Sequence, residues 1–444
     1  MMPATTSPTN PPPISNRAPM LALVILFALV FMIAGGPVFI TLLLIPFLFL
    51  AIEPQAPMLL LPQKFFGAID SFPLMAVPFF VLVGQVMNQG GITDRIFTFA
   101  NSLIGHVRGG LAQVNILASL LLAGMSGSSV ADAAGIGRIE IEAMRRDGYT
   151  PSFSAAVTAA SSTIGGIFPP SISLVIIGAI TGTSISQLLL AGIVPGLLMT
   201  MAMFVLVAWL GYRRGFPTHP RSGMTKIARD FASALPALLA PVILLGGILS
   251  GVFTPTEASA VAAVYAIVVA LFVYREIDLR GLFKAFVDTA IAVAAIFFLI
   301  GAAGTLSWLM TWINVPQQLA ASLGGLGQSP ALLLLASMVL LLILGLFLES
   351  NAALILVAPI LFPIVTQAGV DPVQYGVVTV FALAVGLITP PFGMCMFITM
   401  SIARISMIQF LTEAWNFILI LMVTLVALAY VPFLSLALPS YFFR

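Results

Sequence analysis

The sequence predicts an all-α protein that crosses a membrane many times, and three observations carry that expectation. Of 444 residues, 60% are hydrophobic and 7% charged, against about a quarter charged in an average soluble domain. Mean hydropathy is +1.15 and is spread along the chain, so apolar segments face lipid over most of its length rather than through one anchor. The apolar runs continue unbroken, as in 20–51 and 406–429, whereas outer-membrane barrels show short alternating segments. The elements are therefore helices.

Residues 1–19, rich in Pro, Ser and Thr, read as a disordered cytoplasmic leader. The run after them reads as a retained span, because no small-residue cleavage motif closes a short apolar core. Apolar runs then predict spans near 20–51, 72–90, 151–181, 187–211, 233–253, 257–274, 285–305, 372–402 and 406–432. Two further stretches, 110–147 and 330–369, are interrupted midway by Gly124-Met125-Ser126-Gly127-Ser128-Ser129 and by Glu349-Ser350-Asn351. Arg95, His106 and Arg108 precede the first stretch and Arg138, Arg145 and Arg146 lie along its end, so the positive-inside rule puts both ends in the cytoplasm. That makes it a re-entrant hairpin. No Lys or Arg occurs between Lys284 and Arg404, which suits a second hairpin opening to the outside. The clusters Arg213-Arg214-Arg221-Lys226-Arg229 and Arg275-Arg280-Lys284 then fall inside, with nine spans, the N-terminus in and the C-terminus out.

An internal repeat agrees. Sliding the chain by 221 residues aligns Ser129 to Pro170 with Ser350 to Pro391 without a gap, and 11 of 42 positions are identical, where so biased a composition gives about a tenth by chance. The spans after the two hairpins run in opposite directions in this topology, so the repeat is inverted. Thr150-Pro151 and Asp371-Pro372 are matched cap-plus-proline helix starts.

Each repeat continues into a helix broken by Gly and Pro, at Gly165-Gly166-Ile167-Phe168-Pro169-Pro170-Ser171 and Gly386-Leu387-Ile388-Thr389-Pro390-Pro391-Phe392-Gly393. Adjacent prolines unwind a helix and free carbonyls, which lipid tolerates only where those groups gain partners. Unwound carbonyls at midplane are the usual Na⁺ ligands, although a lone break of this kind is also an ordinary proline kink. The hairpin tips place Ser128, Ser129 and Asp132, and Glu349, Ser350 and Asn351, inside apolar stretches where such groups are costly; hard cations need these oxygens. Plainer readings stand beside these. Ser128 and Ser129 serve close packing, Asp132 caps a helix, and Glu349 accepts from backbone amides. Ser161, Ser162 and Thr163 either offer hydroxyls or bond back to their own helix. Thr254-Pro255-Thr256-Glu257 is a capping box, Arg404 snorkels to headgroups, and Trp308, Trp312 and Trp415 are interface anchors.

Other chemistries lack their residues. A surplus of two positive charges among 32 implies no nucleic acid or anionic partner. One cysteine, Cys395, excludes an intrachain disulfide and a thiolate metal site. No phosphate-binding loop and no H-E-x-x-H motif occurs, so neither ATP nor an intramembrane zinc protease is expected.

Taken together, Gly127-Ser128-Ser129-Val130-Ala131-Asp132-Ala133-Ala134, Gly148-Tyr149, Ala159-Ala160-Ser161-Ser162-Thr163, Pro169-Pro170-Ser171, Thr254-Pro255-Thr256-Glu257-Ala258, Glu349-Ser350-Asn351-Ala352 and Gly386 through Gly393 resemble the large membrane subunit of the tripartite ATP-independent periplasmic transporters, in the ion-transporter superfamily. One departure is Glu140-Ile141-Glu142-Ala143-Met144, where that family often has an apolar Ile-Pro-Ala-Met run. The resemblance implies a non-enzymatic, Na⁺-driven elevator transporter in a bacterial inner membrane, with two or more coupling ions. Its implied partners are a small four-helix membrane subunit and a periplasmic binding protein that delivers an organic acid, such as a C4-dicarboxylate or a sialic acid. It implies Na⁺ ligands at Gly127, Ser128, Ser129, Gly165 and Phe168, and at Glu349, Ser350, Asn351, Gly386 and Thr389. The substrate is implied at Ser128, Ser129, Asp132, Pro170, Ser171, Asn351, Pro391 and Phe392. No arginine lies at either tip, so amides and Na⁺ must supply the positive potential. The chain divides into the leader 1–19, scaffold spans 20–108, a first hairpin and broken helix 109–186, scaffold spans and cytoplasmic loop 187–304, a second hairpin and broken helix 305–403, and a final span 404–444. A stand-alone Na⁺/carboxylate symporter and a passive channel are the alternatives.

The inverted topology makes a direct prediction. In a membrane-impermeant thiol assay, Arg146→Cys should react only from the cytoplasm and Ala368→Cys only from outside; reaction of both from one face would refute the inversion.

Overall fold

The computed structural model describes residues 36–52, 58–314 and 329–443, with isolated helical positions between 23 and 31. The expected leader and much of the first expected span lie outside the described residues. Among the described residues every regular element is a helix.

The chain opens with α1 (Val38–Ile52) and the short α2 (Leu60–Ile69). A 3₁₀ turn at Phe72–Met75 leads into α3 (Ala76–Gln89), and the left-handed Gly91 (φ 61°) turns the chain into α4 (Ile92–Ile104). Hairpin 1 follows as α5 (Gly110–Ser126), α6 (Ser129–Ala134) and α7 (Ile136–Arg146), with Gly127 left-handed at the tip (φ 60°). The first broken helix is α8 (Pro151–Ser162), a 3₁₀ turn at Thr163–Gly166, and α9 (Ile172–Thr181). Then come α10 (Ile185–Arg214), α11 (Met224–Leu249), α12 (Pro255–Val268), which continues as a π turn to Tyr274, and α13 (Leu279–Trp312). Hairpin 2 is α14 (Pro330–Phe347) and α15 (Ser350–Gln367); the second broken helix is α16 (Pro372–Gly386) and α17 (Met394–Ala403); α18 (Met407–Tyr430) and α19 (Phe433–Phe442) close the described chain.

Local chemistry explains the starts. Thr150 Oγ1 accepts from Phe153 N–H (3.3 Å) and Asp371 Oδ1 from Val373 N–H (2.8 Å), each followed by proline at the first helical position, where the missing N–H costs nothing. The Thr254–Glu257 capping box forms in full. An offset of 221 carries the starts of α5, α6, α8, α9 and α10 onto those of α14, α15, α16, α17 and α18 to within one residue. The copies differ at Gly135, which separates α6 from α7, whereas α15 runs through the equivalent position.

Among the described residues, eight helices are long and apolar enough to cross a membrane: 72–89, 185–214, 224–249, 255–274, 279–312, 330–347, 350–367 and 407–430. Six of them coincide with expected single spans, although counting apolar runs clips α11 and α13, whose helices continue past Lys226, Arg229, Arg280 and Lys284. The arms of hairpin 2 also reach spanning length. The short helices α2, α4 and α19 were not expected; α4 carries Asp94 and Arg95 within its first turn, which breaks an apolar run without breaking a helix.

α1, α2 and α3 pack on α13, α3 also on α12, and α4 on α11. On the other side, α8 packs against α17 and α18, α14 against α16, and α10 against α18 and α19. The two sets meet where α3, α4 and α11 touch α5, where α3 touches α9 and where α13 touches α15. At the helix ends, Arg95 pairs with Glu276 and stacks 4.2 Å over the Tyr274 ring, and Arg214 pairs with Glu413 at 2.7 Å.

α14 and α16 meet backbone to backbone, because a Cβ built on Gly386 would lie 2.6 Å from the Gly345 backbone. Small residues permit such approach inside membranes. Gly386→Val should therefore destabilise the protein by about 1–3 kcal/mol, read as a lower thermal midpoint in detergent, while Gly246→Ala, where the added Cβ meets nothing within 4 Å, should leave the midpoint unchanged or raised.

Candidate functional site

The first tip is built against the first break. Ser128 caps α6, its Oγ accepting from Ala131 N–H (3.4 Å), and Ile172 N–H donates to Gly127 O (3.2 Å), which ties the tip to the far half of the broken helix. Gly127 has no room for a side chain: a Cβ there would stand 2.5 Å from Pro170 O. Asp132 is buried (4% exposed), with Ser126 donating to Oδ1, while Oδ2 has no partner among the described residues. That free oxygen lies against Gly165, where a Cβ would collide with it. Ser129 Oγ reaches Thr163 O at 3.5 Å and lies beside Gly166. Ser171 caps α9, accepting from Leu174 N–H (3.2 Å) and donating to Gly166 O.

Asp132 is thus not the helix cap; Ser128 is. The hydroxyls before the break bond locally: Ser162 donates to Ala159 O (2.8 Å) and Thr163 to Ala160 O, while Ser161 donates to Asn115 Oδ1 (2.6 Å). Phe168 points elsewhere, its ring packed over Gly196 of α10.

The second tip has different chemistry. Glu349 caps α15, Oε2 accepting from the N–H groups of Asn351 (2.9 Å) and Ala352 (3.1 Å), and Oε1 from Asn351 Nδ2 (3.0 Å). The plainer reading of Glu349 is what its geometry gives. Asn351 Oδ1 accepts from Ser173 Oγ at 2.8 Å, and Ser350 Oγ is buried with no partner among the described residues. At the second break, Gly386 O accepts from Thr389 N–H (3.1 Å), Leu387 O from Met396 N–H (3.2 Å), and Thr389 Oγ1 donates to Val385 O (2.8 Å). Pro391 and Phe392 are exposed, the Phe392 ring lying 5.5 Å from that of Phe347.

The halves exchange partners. α9, from the first repeat, packs on α15 of hairpin 2, and α17, from the second, packs on α6 and α7 of hairpin 1. Cys395 on α17 donates through Sγ to Ser129 O (3.6 Å). Both tips open on one cavity of about 180 Å³, lined by Ser126, Ser128 and Asp132 of hairpin 1, Asn351 of hairpin 2, and Gln85 and Asn88 of α3. The structure therefore brings Gly127, Ser128, Ser129, Asp132, Gly165, Pro170 and Ser171 together at the first tip, with Asn351 across the cavity. It leaves the side chains of Phe168, Pro391 and Phe392 outside it. Ser126, Ser173, Cys395, Gln85 and Asn88 were not expected; the one signal for the last two was a pair of amides three residues apart in an apolar span.

A family model described as tripartite ATP-independent periplasmic transporter, DctM component, matches residues 23–434. The sialic acid TRAP transporter large permease protein SiaM of Vibrio cholerae is 40% identical over 412 residues, covering 92% of this chain and 96% of that protein. The C4-dicarboxylate TRAP transporter large permease protein DctM of Pseudomonas aeruginosa is 40% identical over 378 residues, covering 85% and 88%. The 2,3-diketo-L-gulonate TRAP transporter large permease protein YiaN of Escherichia coli is 36% identical over 373 residues, covering 84% and 88%. Among solved structures, the YdaH transporter of Alcanivorax borkumensis superposes with a TM-score of 0.64 over 83% of this chain and 86% of that one, at 15% identity, a likeness of fold alone.

The Ser173–Asn351 bond joins the two repeats. In a double-mutant cycle read by thermal unfolding in detergent, Ser173→Ala and Asn351→Ala should show an interaction energy of about 1 kcal/mol; additivity would mean that the bond does not hold the halves together.

Proposed function

The chain belongs to the DctM component family of the tripartite ATP-independent periplasmic transporters, and from that membership we propose that it imports an organic acid across the bacterial inner membrane, driven by Na⁺. The acid is a carboxylate of the kind named for its relatives, which include sialic acid and C4-dicarboxylates. A periplasmic binding protein delivers it, and a small four-helix membrane subunit completes the membrane unit.

The observation that carries this reading is Asp132 Oδ2, a buried carboxylate oxygen with no partner among the described residues, facing Gly165 at the first break. An acceptor left bare in such a place is expensive, and a hard cation is the ligand that suits it. The donor set around it fits Na⁺: Asp132, the Ser129 hydroxyl and carbonyls of the unwound segment are all oxygens. At the second tip the carboxylate oxygens of Glu349 are occupied by N–H donors, so a second ion would depend on Ser350, Asn351 and carbonyls of the break. When bound, Na⁺ supplies the positive charge that neutralises Asp132 and lets an anion approach. Gly127 and Ser128 hold the tip against the break, and Ser171 fixes the start of α9.

The matched element starts support an inverted repeat, and such repeats offer two nearly equivalent arrangements of one body against another. We read the hairpins and broken helices as that moving body and α1–α4 with α11–α13 as the scaffold, with the substrate carried between faces as the body slides.

In proteoliposomes containing the chain and its companion subunits, uptake should require an inward Na⁺ gradient, and Asp132→Asn or Ser129→Ala should raise the Na⁺ concentration for half-maximal rate about tenfold or more. A cross-link between α3 and α5 should stop uptake and one between α14 and α16 should spare it. Gradient-independent flux would indicate a channel, uptake without companion subunits a stand-alone symporter, and uptake despite the first cross-link a local gate.

A further inference from the structure

We propose that Gln85 and Asn88, two amides on the scaffold helix α3, bind the carboxylate of the substrate in the arrangement described, an inference that rests on the transporter reading above. The cavity shared by the tips holds the carboxylate of Asp132, and no Lys, Arg or His side chain among the described residues lines it. A carboxylate entering it must find N–H or O–H donors, because hydrogen bonds to an ionised group are the strong ones available there. Three lining side chains carry amide donors: Gln85, Asn88 and Asn351. Asn351 is occupied on both atoms, its Nδ2 donating to Glu349 Oε1 and its Oδ1 accepting from Ser173. Ser126 donates to Asp132, and Thr93 donates to Asn88 Oδ1 at 3.5 Å. That last bond leaves Nδ2 as the open end of the Asn88 amide. Gln85 makes no hydrogen bond with its side chain among the described residues. The side-chain donors left for an anion are these two amides, the Ser128 hydroxyl and the second N–H of Asn351, of which only the two amides belong to the scaffold.

Their placement fits the role. Residues three apart on a helix share a face, and this face of α3 is the one pressed on hairpin 1. α3 lies against hairpin 1 at Gly84, where an added Cβ would stand 3.5 Å from the Ser126 backbone, and Asn88 reaches Gly135 at the joint of α6 and α7, where an added Cβ would lie 2.9 Å from the amide. A plain structural use of Asn and Gln in a membrane is to bond across helices. Asn88 does so only through Oδ1, which accepts from Thr93 of α4, and Gln85 does not do so among the described residues. Because α3 belongs to the scaffold, these donors stay behind when the hairpins move. The bound acid therefore bridges the two bodies in one arrangement and loses two donors in the other, which makes its affinity differ between the two faces of the membrane.

The test uses the complete transporter with its companion subunits in proteoliposomes, with succinate and sialic acid as probes, and reads substrate KM separately from Na⁺ half-saturation. Gln85→Leu and Asn88→Leu should each raise KM about tenfold while Na⁺ half-saturation shifts by less than about twofold. Asn88→Asp, which keeps the shape but replaces the donor with an acceptor, should raise KM further, and Asn88→Gln should recover part of the loss. Should a leucine variant fail to insert, the isosteric Gln85→Glu and Asn88→Asp carry the same comparison. Unchanged KM in these variants overturns the proposal, as does a wild type that carries neither acid. Uptake that ignores Na⁺ while KM still follows the amides would sink the Na⁺ coupling and leave this assignment standing.

Discussion

A membrane interior offers no water to a broken helix, so every backbone group released at the two Pro-Pro breaks has to be satisfied by protein. Much of the described architecture follows from that requirement. At the first break, Gly166 O is met by the Ser171 hydroxyl, and Ile172 N–H by Gly127 O of the hairpin tip. The tip is needed because the break exists. It reaches the break only because Gly127 is left-handed and has no side chain to strike Pro170 O. At the second break the chain mends itself more locally, through Thr389 N–H to Gly386 O and Met396 N–H to Leu387 O. One break is therefore hydrogen-bonded to its hairpin tip through the backbone, whereas the other, among the described residues, meets its hairpin by packing such as the close Gly345–Gly386 approach.

The second level of organisation is the exchange between copies. Ser173, from the first broken helix, bonds to Asn351 of the second hairpin, and Cys395, from the second broken helix, bonds to Ser129 O of the first. Each tip is thus finished by a residue of the other repeat. A change at either tip is felt by both halves, which is the mechanical condition for them to move as one body.

Long-range order was legible in the sequence where it rested on periodic apolar runs and on turn chemistry. The hairpins announced themselves by Gly and polar residues inside apolar stretches, and the helix starts by Thr150-Pro151, Asp371-Pro372 and the Thr254–Glu257 box. α2 and α4 were not legible, since an apolar-run count requires the length of a span and α4 carries Asp94 and Arg95 in a helix that never had to be apolar all round. Among residues lining the cavity, Asp132 and Asn351 were legible because they interrupt apolar sequence at the hairpin tips. Ser173 and Cys395 were not, since nothing in a linear pattern says that α9 will pack on the hairpin of the other repeat. Gln85 and Asn88 escaped for a related reason: an amide inside a long apolar span looks like a tolerated exception until the opposite wall of its cavity is known.

The exchanged contacts also constrain how the molecule is made. Ser173 and Asn351 are 178 residues apart, and Ser129 and Cys395 are 266 apart. The first hairpin is synthesised long before the residue that completes its tip, and contacts of such separation are slow to form. For most of its synthesis, hairpin 1 lies in the membrane with Asp132 and the first break only partly enclosed. Biogenesis of this protein therefore passes through an incomplete intermediate that has many of its helices and neither finished tip, the kind of species whose exposed polar groups invite mispairing before the last quarter of the chain arrives.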